Sequence, residues 1–171
     1  CGNAVGGIIA PKIYKKLGIT LHELYCDIDS TFPNHHPDPT VDSNLSDIIK
    51  LMKTGNYDVG IAFDGDADRI VAVDNKGNII RPDILLSVLL EFIIQKDDTV
   101  VYDVKCSKSL EDVISNIGGI PLMWKTGHSL IKNKMIDSKS KIGGEMSGHI
   151  FFADKYFGFD DGIYVGLRLI E

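Results

Sequence analysis

Val59-Gly60-Ile61-Ala62-Phe63-Asp64-Gly65-Asp66-Ala67-Asp68-Arg69 is the stretch on which the reading of this chain turns. Its first five residues form an apolar run of the length of a short buried strand. Three carboxylates follow at alternate positions, spaced by the two smallest residues, and an arginine closes the run. Acids this close repel one another unless a cation neutralises them. Oxygen-only donors on a short loop suit a hard ion such as Mg²⁺ better than zinc. A buried strand that delivers a polar loop to its carboxyl end is characteristic of α/β folds.

The flanking sequence alternates helical and strand patterns. Val5, Ile8, Ile9, Ile13 and Leu17 recur at threes and fours, which predicts a helix over residues 4–16, with Gly18 as its C-cap and Pro11 as a kink. Residues 19–25 alternate as a strand, and residues 27–41, with Pro33, Pro37 and Pro39, read as a loop. Asp42 or Ser43 then caps a helix over Leu45, Ile48, Ile49 and Met52 that Gly55 ends. After the acidic loop come a strand at 70–73 and a turn at 75–78. From Arg81 a second series begins, with helices at 83–95, from a capping box at Ser109 and Asp112 to Ile117, from His128 to Ile136 and from Asp161. Its strands are expected at 99–104, 120–124, 141–144 and 150–153. The pattern predicts an α/β chain: two small three-layer α/β/α domains with mixed, mostly parallel sheets, residues 1–78 and 79–171.

Bulk properties narrow the function classes. The chain has 171 residues, 44% of them hydrophobic, enough to fill one ordinary core or two small ones. A net charge of −6 without a basic stripe argues against nucleic acid as a partner. No apolar run approaches the ~20 residues that span a bilayer, so no membrane partner is expected. Cys1, Cys26 and Cys106 are far apart and lack C-x-x-C spacing, which fits a reducing compartment, the cytoplasm, and no disulfide framework. The opening Cys1-Gly2-Asn3-Ala4, without Met, and an uncapped final helix read as a piece of a longer protein.

Several readings of the polar loops compete. An EF-hand fails, because Arg69 stands where glycine is required and Asn75 where the closing Glu belongs. A haloacid-dehalogenase-type phosphatase would use Asp64 as nucleophile and Asp66 as acid, but Asp68 and Arg69 lie outside that pattern. A solvated acidic turn is the bland alternative. In Gly143-Gly144-Glu145-Met146-Ser147-Gly148-His149 the glycines permit close backbone approach to a ligand. Glu145 and Ser147 can bond vicinal hydroxyls, and His149 can move a proton near neutral pH; the alternative is a glycine-rich hairpin with a polar tip. Lys125-Thr126-Gly127-His128-Ser129 opens a helix whose N–H groups, with Lys125, favour anions, unless it is an ordinary cap with an exposed His128. Lys105 follows a strand, where a lysine is commonly just solvated. His35 and His36 stiffen the proline loop, Asp160 and Asp161 are expected to cap the last helix, and Trp124 and the aromatics of 151–159 to pack.

Together, Phe32-Pro33-Asn34-His35-His36-Pro37, the acidic loop, Asp103-Val104-Lys105-Cys106, Trp124 through Lys132, Gly144 through His149 and Phe157-Gly158-Phe159-Asp160-Asp161-Gly162 resemble the α-D-phosphohexomutase superfamily, most closely its bacterial phosphomannomutase/phosphoglucomutase members. The resemblance covers essentially the whole chain. It implies the central two of four domains around one cleft, with domains one and four of the same polypeptide as partners and the strand that normally precedes Cys1 missing. It implies an intramolecular phosphotransferase that moves a phosphoryl group between O1 and O6 of mannose or glucose, through a phosphoserine and a hexose 1,6-bisphosphate. The substrates would be hexose phosphates, and the fragment alone is expected to be inactive. By resemblance Asp64, Asp66 and Asp68 hold Mg²⁺, and Arg69 supports the phosphoryl oxygens. Glu145 and Ser147 grip sugar hydroxyls, while Lys105, Lys125 and His128 line the cleft. His149 assists as general acid or base. A sugar phosphatase using Asp64, and a non-catalytic module that binds phosphosugar or metal, remain the alternatives.

Overall fold

A computed structural model describes residues 1–171, which divide into two units, Cys1–Ile80 with Gly162–Glu171, and Arg81–Asp161. The first unit holds helix α1 (Gly6–Lys16), a 3-10 turn at Asp42–Leu45, helix α2 (Ser46–Thr54) and strands β1 (Val59–Phe63), β2 (Ile70–Asp74) and β3 (Ile79–Ile80). The second holds α3 (Pro82–Ile93), β4 (Thr99–Asp103), α4 (Lys108–Asn116), β5 (Ile120–Trp124), α5 (His128–Ser138), β6 (Ile142–Gly144) and β7 (Ile150–Phe152). The final helix, α6 (Gly162–Ile170), belongs to the first unit. The sequence pattern groups it with residues 79–161 instead, because nothing local marks where a helix docks. No helix is long and apolar enough to cross a membrane.

In the first unit β2 is central, paired antiparallel to β1 and to β3. Ile70, Val71, Ala72 and Val73 are all buried, so both faces of the sheet are covered. Successive β1 residues face opposite helices: Gly60 lies under Ile48 and Met52 of α2, and Ile61 under Gly166 of α6. The expected parallel pairing is absent here, since β1 to β3 are joined by short hairpin connections and parallel strands need long crossovers.

Two further expectations for this unit change. Residues 19–25 are not a strand. The amine of Cys1 and the N–H of Asn3 donate to the carbonyls of Leu24 and Tyr25, but no ladder forms along the segment. It borders, with Val59 and Ile61, a cavity of about 460 Å³. Helix α1 forms as predicted and carries Pro11 inside it, but Val5, Ile8, Ile9 and Leu17 are exposed and the buried face is Gly6, Ala10, Pro11 and Tyr14. Small residues let α1 approach α6, where the Tyr14 hydroxyl donates to the carbonyl of Ile163 at 3.1 Å.

The second unit is a sheet of order β5-β4-β6-β7. β4 pairs parallel with β5 and β6, and β7 closes the edge antiparallel to β6. Gly143 faces Met135 of α5 and Gly144 faces Leu86 of α3, so helices cover both sides. Val101, Ile131, Met135 and Phe151 form the core on the α5 side. The chain leaves β4 toward β5 and returns across it to β6. The carboxyl end of β4 is therefore a topological switch point, where α/β sheets open a crevice. Ser107 rather than Ser109 stands at the start of α4, its side chain bonded to the Ser109 hydroxyl instead of closing a capping box.

Candidate active site

The acidic loop spans the hairpin between β1 and β2. Ala67 takes a left-handed conformation (φ 63°), which turns the chain sharply within the loop. Its carbonyl accepts the N–H of Gly162 at 2.9 Å. A Cβ on Gly162 would stand 2.8 Å from the Arg69 carbonyl oxygen and 2.9 Å from that of Ala67, so the start of α6 rests directly on the loop.

Ligand oxygens of Asp64, Asp66 and Asp68 lie within 4.8 Å of one another. Asp64 is buried, Asp66 exposed and Asp68 between the two. Asp64 accepts the backbone N–H of Arg69 at 3.0 Å on one oxygen and its Nε–H at 2.7 Å on the other. The guanidinium also reaches Asp38, at 3.5 Å. Burial works against the charge on Arg69, but Asp64, Asp38 and Asp68 outweigh it and hold its pKa above the ordinary value. At Asp38 burial also opposes ionisation, yet the hydrogen bonds from Thr40 and the charge of Arg69 hold the carboxyl below its usual range. Nothing in the spacing of the proline loop marks Asp38 as a partner of this cluster. Three convergent carboxylates with only oxygen donors fit a hard divalent cation.

In the second unit Lys105 and Lys125 are exposed at the ends of β4 and β5. The segment Glu145 to His149 is the turn of the β6–β7 hairpin, closed by the Glu145 N–H to the His149 carbonyl at 2.8 Å. Glu145 is 3% exposed and occupied by protein donors: Gly127 N–H reaches Oε1 at 2.5 Å, and His149 Nδ1 lies 3.2 Å from Oε2. The Ser147 hydroxyl is 3.0 Å from the same His149 nitrogen. His149 stacks between His128, at 5.5 Å, and Phe151, at 6.3 Å. His128 Nδ1 in turn lies 2.9 Å from Asp160, which also accepts Lys132 Nζ at 2.9 Å.

The structure thus brings His128, Glu145, Ser147 and His149 into one hydrogen-bonded and stacked group. It also corrects three expectations. Asp160 binds His128 and Lys132 rather than capping α6, and Asp161 accepts the Tyr156 hydroxyl. The N–H of Gly127 is used by Glu145 and is not open to an anion. Gly143 and Gly144 make room for the core instead of a ligand, since a Cβ on Gly143 would meet Met135 Sδ at 2.7 Å and the Val101 carbonyl at 2.8 Å.

Comparison with known proteins divides the chain near residue 80, as the sequence pattern does, and assigns α6 along the chain to the second part although its packing contacts lie with the first. Residues 1–77 match the family described as phosphoglucomutase/phosphomannomutase, alpha/beta/alpha domain II, and residues 81–171 match its domain III. The whole chain is 50% identical to a phosphomannomutase/phosphoglucomutase of Pseudomonas aeruginosa and covers 37% of it. It is 49% identical to a phosphoglucomutase of Neisseria meningitidis, with 99% of the chain and 37% of the relative covered. A crystal structure of a phosphoglucomutase/phosphomannomutase family protein from Burkholderia thailandensis superposes with a TM-score of 0.95 at 47% identity, over 100% of this chain and 38% of that one. The chain therefore spans well under half the length of these relatives.

Proposed function

The chain belongs to the phosphoglucomutase/phosphomannomutase family, and from that premise we propose that it supplies the metal-binding and sugar-binding portions of a phosphohexomutase. The longer polypeptide would interconvert the 1-phosphates and 6-phosphates of mannose and glucose through a hexose 1,6-bisphosphate. The observation that carries this reading is the convergence of three aspartate oxygens within 4.8 Å beside a half-buried arginine.

Asp64, Asp66 and Asp68 are the residues that would hold Mg²⁺. The ion, when bound, supplies positive charge that stabilises a migrating phosphoryl group. Arg69 spends its Nε–H on Asp64 and one amino group on Asp38. Its remaining donors are available to phosphoryl oxygens, with which it forms charge-assisted bonds. The exposed ammonium groups of Lys105 and Lys125 draw in the anionic substrate. Ser147 and Glu145 bond sugar hydroxyls, each Glu145 oxygen having a second lone pair beyond its protein partner. His149, with Nδ1 3.2 Å from Glu145 and 3.0 Å from the Ser147 hydroxyl, can carry a proton to or from a hydroxyl. His128, fixed by Asp160, buttresses that ring by stacking.

The phosphatase alternative gains no support. The chain's similarity over its whole length to phosphomannomutase/phosphoglucomutase and phosphoglucomutase relatives favours the mutase instead.

The test is turnover by the full-length polypeptide of mannose 1-phosphate and glucose 1-phosphate, with Mg²⁺ and a trace of hexose 1,6-bisphosphate. The 6-phosphate should form, and Asp66→Asn should lower kcat/KM by about a thousandfold or more. Release of inorganic phosphate in place of the isomer, or near-native turnover in the variant, would overturn the reading.

A further inference from the structure

Asp103 is the last residue of β4, at the switch point of the second sheet, and is completely buried. Its partners come from three different loops. Oδ1 accepts the backbone N–H of Met146 at 3.1 Å and the thiol of Cys106, also at 3.1 Å. Oδ2 accepts the Thr126 hydroxyl at 2.9 Å. All three donors are neutral, so the carboxylate is held by hydrogen bonds instead of an ion pair.

The placement of these donors is specific. Met146 lies between Glu145 and Ser147, and Thr126 lies between Lys125 and Gly127. Gly127 N–H then donates to Glu145 Oε1, which closes a circuit from Asp103 through Thr126, Gly127, Glu145 and Met146 back to Asp103. Cys106 ties in the loop that carries Lys105. We infer that Asp103 is the positioning residue of the sugar-binding loops. Buried where it reaches no substrate, it sets the spacing between the Lys125–His128 loop and the Glu145–His149 turn by clasping the backbone of one and a side chain of the other.

An acceptor-only group is required at this point. Two oxygens with about four lone-pair sites take three donors, which a serine or threonine hydroxyl could not do without offering a proton of its own. Removing the carboxylate leaves the Met146 N–H and the Thr126 hydroxyl without their buried partner, and the circuit opens at two points. Loops that must hold a sugar in two orientations bind substrate and bisphosphate alike. Loosening them therefore weakens binding throughout the reaction and shows mainly in KM.

This inference rests on the mutase reading of the two loops, and its test separates the two. In the full-length polypeptide, KM and kcat for glucose 1-phosphate are measured for Thr126→Val, Asp103→Asn and Asp103→Ala, with amide exchange at Met146 and melting temperature. Thr126→Val loses one hydrogen bond and should raise KM about fivefold with kcat within about twofold of native. Asp103→Ala should raise KM by about tenfold or more and speed exchange at Met146 by a similar factor. Asp103→Asn keeps an oxygen for Met146 and Cys106 and can donate to the Thr126 oxygen, so it should recover most of the loss. A lower melting temperature with unchanged KM in Thr126→Val and Asp103→Ala would overturn the inference. Thr126→Val decides it alone if Asp103→Ala does not fold. Absence of mutase activity in the native polypeptide would instead sink the functional reading, and unchanged Met146 exchange in Thr126→Val and Asp103→Ala would then sink the clasp as well.

Discussion

Asp64 and Asp66 share a chemical type and a loop, yet the fold gives them different surroundings. Asp64 accepts two hydrogen bonds from Arg69 and fixes the loop from within, while Asp66 faces solvent. Cys106 shows how a neighbour silences a reactive group. Burial first, then the hydrogen bond and charge of Asp103, push its thiol well above the usual range. Iodoacetamide at pH 8 should therefore leave Cys106 unmodified in the folded protein, and mass spectrometry should find the third alkyl group only after unfolding in urea. The three acids and the Glu-x-Ser-x-His spacing were legible as candidate ligands because their chemistry depends on residues close in sequence. Asp103 and Asp160 were not, since a single Asp at a strand end looks the same whether it caps a helix, meets solvent or clasps three loops.

Among the elements, α6 is the one whose role the sequence conceals. Its amphipathic spacing announces a helix but not its sheet, and it is Gly162, against the carbonyls of Ala67 and Arg69, that seats it on the acidic loop. Gly162→Ala should destabilise the first unit by roughly 1–3 kcal/mol, because backbone cannot yield as a flexible side chain does. It should also weaken Mg²⁺ binding, checked by denaturant titration and calorimetry on the same sample. The strands β1, β2, β4 and β5 follow their apolar runs closely, since each is buried on both faces or leads a loop into place. The segment 19–25 alternates just as well and forms no strand. Alternation records which side chains meet an apolar surface, and a strand needs in addition a neighbour for its backbone.

For the molecule as a whole, ion pairs anchored on depressed carboxylates set its acid limit. Burial opposes ionisation of Asp160, but the hydrogen bonds from Lys132 and His128 prevail and lower its pKa. The hydrogen bond from Lys141 does the same for Asp98. Both carboxyls bind protons less readily folded than unfolded, so their contribution is complete above the ordinary carboxyl range and is lost as pH falls through about 4 and below. The urea midpoint should accordingly drop between pH 6 and pH 3.5. Lys132→Ala should narrow the difference by removing the main stabiliser of the Asp160 charge.

Two α/β/α units, a carboxylate cluster suited to a hard cation and a polar Glu-x-Ser-x-His turn can all be read from one dimension, because apolar periodicity and ligand spacing are properties of neighbouring residues. Folding alone assigned α6 to the first unit, turned the apolar stripe of α1 outward, buried Asp64 against Arg69 and gathered three loops around Asp103. Each of those outcomes depends on contacts between residues distant along the chain, whose free energy comes from packing and shared hydrogen bonds and leaves no trace in local composition.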